Sequence, residues 1–154
     1  RMNIDVYDDV LSDDLLKFVQ VELTKMTWNV HGTFSDNVGF FNCVTTDYLS
    51  HNFLLNIFNE KGLTKTKELL RIYVNLYPPH AGGKPHEDDG DTTLLFLPDD
   101  WKEEWKGELI INEGEETISY KKNRLIVFNA AIIHHANINL SNKNRHTIAW
   151  KTLT

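Results

Sequence analysis

The chain has 154 residues and a mass of 17.9 kDa, with 41% hydrophobic and 25% charged residues and a formal net charge of −6. That is the size and make-up of one globular domain rather than two, and it excludes disorder along most of the length. No apolar run approaches the ~20 residues of a membrane span, the N-terminus shows no signal-peptide core, and a single cysteine, Cys43, excludes a disulfide framework and a multi-cysteine zinc site.

The first third reads as helical. Tyr7-Asp8-Asp9-Val10-Leu11 leads into Ser12, a good N-cap followed by Asp13 and Asp14 in the first turn. Leu15, Leu16, Val19 and Leu23 then recur at helical spacing. Trp28-Asn29-Val30-His31-Gly32 opens a loop rich in polar and aromatic side chains. A second helix is predicted from about Ser50 to Lys61, with Phe53, Leu54, Ile57 and Phe58 on its apolar face and Gly62 as its stop. From Lys67 onward the pattern changes to short strands: Leu70–Tyr77, Thr92–Leu97, Glu108–Ile111, Thr117–Tyr120, Arg124–Phe128, His134–Leu140 and Arg145–Leu153. Turn signals such as Gly82-Gly83, Asp89-Gly90 and Glu113-Gly114 separate them. This order, without a βαβ rhythm, predicts an α+β fold: one domain over 1–154, helical over about 1–66 and jelly-roll-like over about 67–154.

Charge is unevenly spread. Between His86 and Thr117 twelve acidic residues face two lysines, a balance of −10 that leaves +4 on the remainder. Phosphate recognition needs the opposite sign, so no nucleic-acid partner is expected. No membrane partner is expected either, and the scarcity of cysteine fits a reducing compartment, most simply the cytoplasm.

Within the acidic stretch, Pro85-His86-Glu87-Asp88 is the chemically informative segment. On an extended chain His86 and Asp88 point to one face, so an imidazole and a carboxylate can grip one metal ion from one side. A second histidine from a later strand, His134 or His135, would complete two histidines and one carboxylate, the set that leaves open positions on non-haem Fe(II). On the tripeptide alone, a surface histidine in a charged loop is the stronger reading. An EF-hand reading of Asp88-Asp89-Gly90-Asp91 fails on acid spacing and on the closing glutamate.

The ordered set of motifs from about Arg71 to Trp150 changes that balance. Asn75-Leu76-Tyr77, Gly82-Gly83, Pro85-His86-Glu87-Asp88, Phe96-Leu97-Pro98-Asp99-Asp100-Trp101, Lys106-Gly107-Glu108-Leu109, Asn123-Arg124-Leu125-Ile126-Val127-Phe128, His134 and Arg145-His146-Thr147-Ile148-Ala149-Trp150 follow one another over about 80 residues. This series resembles the prolyl 4-hydroxylase-like branch of the 2-oxoglutarate- and Fe(II)-dependent dioxygenases. The resemblance implies a double-stranded β-helix (jelly-roll) core with N-terminal helices on it. It implies hydroxylation of a prolyl residue or other amino-acid-like substrate, small molecule or peptide, with release of succinate and CO2. Fe(II), 2-oxoglutarate and O2 would be required, with ascorbate as a candidate reductant.

Carried over residue by residue, the resemblance makes His86, Asp88 and His134 the metal ligands and Arg145 the partner of the distal carboxylate of 2-oxoglutarate. Thr147 shares a strand face with Arg145 and Tyr77 matches a tyrosine near the co-substrate. Tyr73 and Asn75 share the face of Tyr77 and are candidate pocket lining, although core packing is the stronger reading of Tyr73; Trp28 and His31 are candidate substrate contacts. His134 is preferred to His135 because the family pattern, counted from Arg124, reaches the ligand position there. Two departures stand out. Phe96 occupies a position where some relatives use a tyrosine hydroxyl on the distal carboxylate, and Lys106-Gly107 replaces a Gly-Gly pair. The same folded scaffold without turnover, a binding module, is the alternative reading.

Overall fold

Alternate side chains of the strand Arg145–Thr152 enter two different cores, and the molecule is layered accordingly. The structure is a computed structural model that describes residues 3–31, 39–44, 48–60 and 68–153. Its strands and α-helices run in chain order as β1 (Ile4–Tyr7), α1 (Asp13–Leu23), β2 (Asn29–His31), β3 (Phe40–Val44), α2 (Tyr48–Glu60), β4 (Leu69–Tyr77), β5 (Asp91–Phe96), β6 (Leu109–Ile111), β7 (Glu116–Ile118), β8 (Arg124–Asn129), β9 (His134–Ala136) and β10 (Arg145–Thr152). A seven-stranded sheet has the order β1-β8-β5-β10-β4-β3-β2, a three-stranded sheet the order β7-β6-β9, and their strand pairs are antiparallel.

One face of the large sheet carries the helices. Ile148 and Trp150 of β10 join Ile72, Val74, Leu95 and Leu125 against Leu16, Val19 and Leu23 of α1 and Leu54, Ile57 and Phe58 of α2. Ser12 caps α1 by accepting a hydrogen bond from the Leu15 N–H, and Trp150 fixes α2 by donating its indole N–H to the Leu54 carbonyl at 3.2 Å. The opposite face meets the small sheet. There Leu94 and Phe96, Ile126 and Phe128, and Ala149 close on Leu109, Ile111 and Ile118. Burying an aliphatic side chain of this kind stabilises by about 1.5–3 kcal/mol, so both layers drive closure.

The N-terminal third is not helical throughout. β1, β2 and β3 extend the large sheet at its two edges, so no boundary near residue 66 divides a helical part from a sheet part. Short edge strands leave little alternation to read: Val6 and Tyr7 of β1 are 43% and 50% exposed. Beyond its ladder with β8 and the packing of Ile4, charge ties β1 down, since Asp8 just past it accepts from Arg124 Nε at 2.7 Å and Lys121 Nζ at 3.1 Å. The expected strand His134–Leu140 stops at Ala136. Beyond it the fully buried Asn139 side chain donates to the carbonyls of Tyr77 and Lys143, at 3.1 and 2.7 Å, and turns the chain out of the sheet. Gly62 lies outside the described residues.

Candidate metal and co-substrate site

The two sheets meet at a β-bridge between His86 and His134, which places the loop ahead of β5 against β9. Asp88 is fixed on the same loop by its N–H, which donates to the Ala130 carbonyl at 2.8 Å. One ligand atom from each of His86, Asp88 and His134 then lies within 4.8 Å of the others. Asp88 Oδ2 is 3.6 Å from His86 Nε2 and 3.9 Å from His134 Nε2.

The tautomers suit a cation. His86 Nδ1 is 2.7 Å from the Lys84 carbonyl and His134 Nδ1 is 2.7 Å from the Ile132 carbonyl. A carbonyl oxygen only accepts, so each Nδ1 carries a hydrogen, and in the neutral ring that leaves the Nε2 lone pair on the side of Asp88. Burial holds His134 below the ordinary histidine pKa, which favours that neutral form. Burial alone would raise Asp88, but the hydrogen bond and charge of Lys151, with the two histidines, outweigh it and keep the carboxyl below its usual range. Two neutral imidazoles and one carboxylate converging in this way fit a first-row divalent ion with positions left for other ligands.

Along β10 the inner face presents Arg145, Thr147, Ala149 and Lys151 in turn. Arg145 is 2% exposed. Among the described residues its hydrogen bond is from Nε to the Gly107 carbonyl at 2.6 Å, and no carboxylate pairs with it. Aromatic rings surround it: Tyr120, Phe96 and Tyr77 lie 4.7, 5.4 and 5.6 Å from the guanidinium carbon. Phe96 offers a face there and no hydroxyl, and the Tyr120 hydroxyl is engaged with the main chain of His146, donating at 2.6 Å and accepting at 2.9 Å. Arg145 is therefore a buried cation on which Glu108 acts only through its charge at a distance, and no carboxylate among the described residues ion-pairs with its remaining N–H groups, in a cleft where unpaired charge is costly.

Arg145, Thr147, Tyr77, Tyr73 and Asn75 line one narrow cavity of about 50 Å³ with His86, Asp88 and His134. Tyr77 stacks on Phe40 at 5.1 Å, and the Asn75 side-chain carbonyl accepts from the Asn42 amide at 2.7 Å. His135 also lines the cavity, and burial, helped by the nearby His86, holds its pKa below the ordinary histidine value. Trp28 is elsewhere. It packs with the helix-side core, its ring 6.2 Å from that of His146, because residues of β10 next to Arg145 face the helices. The His31 side chain lies outside the described residues.

Two site residues escaped the sequence reading. Lys151 donates to Asp88 Oδ2 at 2.8 Å, and Thr92, across from it on β5, turns a buried hydroxyl without a hydrogen-bond partner into the cavity. The period of two that placed Thr147 beside Arg145 also reaches Lys151, so that signal was present. Thr92 carried none.

No protein-family model matches the chain, and no curated protein sequence matches it. Solved structures do. A prolyl-4-hydroxylase from Pseudomonas putida superposes with a TM-score of 0.75 at 15% identity, covering 98% of this chain and 93% of that one. The viral collagen prolyl hydroxylase of Paramecium Bursaria Chlorella virus-1, in its 2-oxoglutarate complex, gives 0.74 at 14% identity, covering 98% and 96%. HygX from Streptomyces hygroscopicus, with nickel and 2-oxoglutarate bound, gives 0.76 at 11% identity, covering 97% and 82%. The chain thus has the fold of prolyl 4-hydroxylase and other 2-oxoglutarate/Fe(II) oxygenase structures. Among the described residues no helix is long and apolar enough to cross a membrane.

Proposed function

We propose that the chain is an Fe(II)- and 2-oxoglutarate-dependent dioxygenase that hydroxylates a C–H bond of a prolyl residue or another amino-acid-like substrate, small molecule or peptide, and releases succinate and CO2. The observation that carries this reading is the buried, unpaired Arg145 guanidinium opening into the same cavity as the His86, Asp88 and His134 cluster. A metal hydrolase has no use for such a cation, whereas a diacid that chelates a metal ion through one end needs it at the other.

His86, Asp88 and His134 would hold the iron, which when bound supplies the O2 activation that couples decarboxylation of 2-oxoglutarate to oxygen insertion into the substrate, with ascorbate as reductant. Arg145 receives the distal carboxylate, its fork matching the two oxygens, and it stays charged in a closed pocket. Thr147, 3% exposed and on the same strand face, offers a hydroxyl to that carboxylate. Tyr77 keeps its proton, since burial raises its pKa more than Arg145 lowers it, and closes the pocket beside the guanidinium. Leu94, Leu109 and Phe128 form apolar walls that exclude water from the reacting end. Tyr73 and Asn75 face the remaining space, where a substrate would stand.

The test is a succinate-release screen of the Fe(II)-loaded protein, comparing proline-containing peptides with free amino acids. Succinate formed in step with a hydroxylated product supports the reading. Stoichiometric binding of Fe(II) and 2-oxoglutarate with no succinate from any substrate would favour the binding module.

A further inference from the structure

Lys151 is an unusual neighbour for a metal-binding carboxylate. Its side chain is only 3% exposed, and its ammonium donates at 2.8 Å to Asp88 Oδ2, the same oxygen that lies nearest the two histidine Nε2 atoms. The backbone leaves it little choice of direction. Lys151 is directly opposite Arg71 on β4 and Thr92 on β5, and the inner face of β10 holds it beside the cavity. Arg71 adds a second positive charge on that flank, its guanidinium 4.9 Å from the centre of the Tyr73 ring, and Asp89 opposes it electrostatically from the loop.

The charge balance follows directly. In the form that ligates a metal, two neutral imidazoles and one carboxylate carry −1, and the Lys151 ammonium on Asp88 brings the set to zero. A divalent ion entering a neutral set is attracted less than one entering an anionic set, and a buried ammonium is poorly screened by salt. Once loaded, the set with Lys151 has a charge of +2 rather than +1, which favours an anion at the open positions.

We propose that Lys151, acting through Asp88, is a positioning residue that lowers the affinity of the site for a divalent metal and raises the affinity of the loaded site for a carboxylate ligand of the metal. This rests on the metal-site reading above and not on turnover.

The experiment measures Mn(II) affinity of the whole chain by titration, and then oxalate and 2-oxoglutarate affinity of the Mn(II)-loaded protein. The proteins compared are wild type, Lys151→Met, Lys151→Gln and Lys151→Arg, with far-UV circular dichroism as the check on folding. Removal of the charge in Lys151→Met and Lys151→Gln is expected to tighten Mn(II) about tenfold or more and to weaken oxalate about tenfold, while Lys151→Arg stays near wild type. If Lys151→Met fails to fold, Lys151→Gln makes the same comparison. Weaker Mn(II) binding in Lys151→Met with wild-type binding in Lys151→Gln would overturn the proposal, because Lys151 would then serve only to orient the carboxylate. Unchanged affinities would overturn it too. Oxalate needs only the open metal positions, so wild-type protein that binds oxalate but not 2-oxoglutarate refutes the dioxygenase reading and leaves this proposal standing.

Discussion

The main chains of His86 and His134 exchange two hydrogen bonds, 3.1 Å from the His86 N–H and 2.9 Å from the His134 N–H, and their ring centres stand 4.4 Å apart. One histidine is thereby clamped to the other across the seam between the sheets. His135 is next in sequence and lines the same cavity, but its ring is not in the ligand cluster. His134→Ala is expected to abolish tight Mn(II) or Fe(II) binding, and His135→Ala to alter it by less than about tenfold. Metal titration of the two variants checks this, and loss of metal in His135→Ala with retention in His134→Ala would shift the ligand by one residue.

Arg145→Ala should weaken 2-oxoglutarate far more than metal. A charge-assisted bidentate pair is worth on the order of 1.5–3 kcal/mol, or about ten- to a hundredfold in affinity. A lysine in its place keeps the charge and loses the fork, so Arg145→Lys should recover only part of the binding. Equal 2-oxoglutarate saturation in wild type and Arg145→Ala would assign the distal carboxylate to another residue.

Legibility differed between parts of the chain for physical reasons. A strand of the large sheet buried on both faces, such as β5, announces itself as a short run of threonines and apolar residues between turn residues, and Ser12 with its acids marks the start of α1. β1 and β3 do not, because their side chains are half or fully exposed and their register comes from partners farther along the chain. Site residues separated by two positions, His86 with Asp88 and Arg145 with Thr147, could be paired by strand geometry. The contact of Lys151 with Asp88 spans 63 residues and depends on how the loop ahead of β5 docks, which no local pattern encodes.

The backbone conformation of Lys106 has a measurable consequence. Lys106 has φ 56° and ψ −139°, a region that glycine enters freely and a side chain enters at a cost of about 1–3 kcal/mol. It is held there by its N–H, which donates to the Glu103 carbonyl at 3.1 Å, and by its own carbonyl, which accepts from the Trp101 indole at 2.7 Å. Lys106→Gly relieves the strain and gives back part of it as chain entropy, for a net gain of about 1 kcal/mol. Lys106→Ala should gain nothing. Denaturant midpoints of the three proteins decide it, and a Lys106→Gly variant no more stable than wild type would show that the loop holds no strain.

Asp8 ties β1 to the large sheet, and its ionisation should make that tie depend on pH. The Arg124 hydrogen bond, opposed by burial and helped by Lys121, lowers its pKa from 3.8 to about 2. A carboxylate with a lower pKa in the folded state stabilises the fold above its unfolded pKa, and that stability disappears as pH falls through the folded value. The window is therefore about pH 4 down to about pH 2. The carboxylate is 34% exposed, so solvent screening reduces the contribution to about 1 kcal/mol. Asp8→Asn should be less stable than wild type by about that amount at about pH 5, and the gap should close near about pH 2 and shrink in high salt. Urea unfolding of both proteins across this range provides the comparison. A gap that stays constant with pH would mean that Asp8 holds β1 through packing or a neutral hydrogen bond and not through its charge.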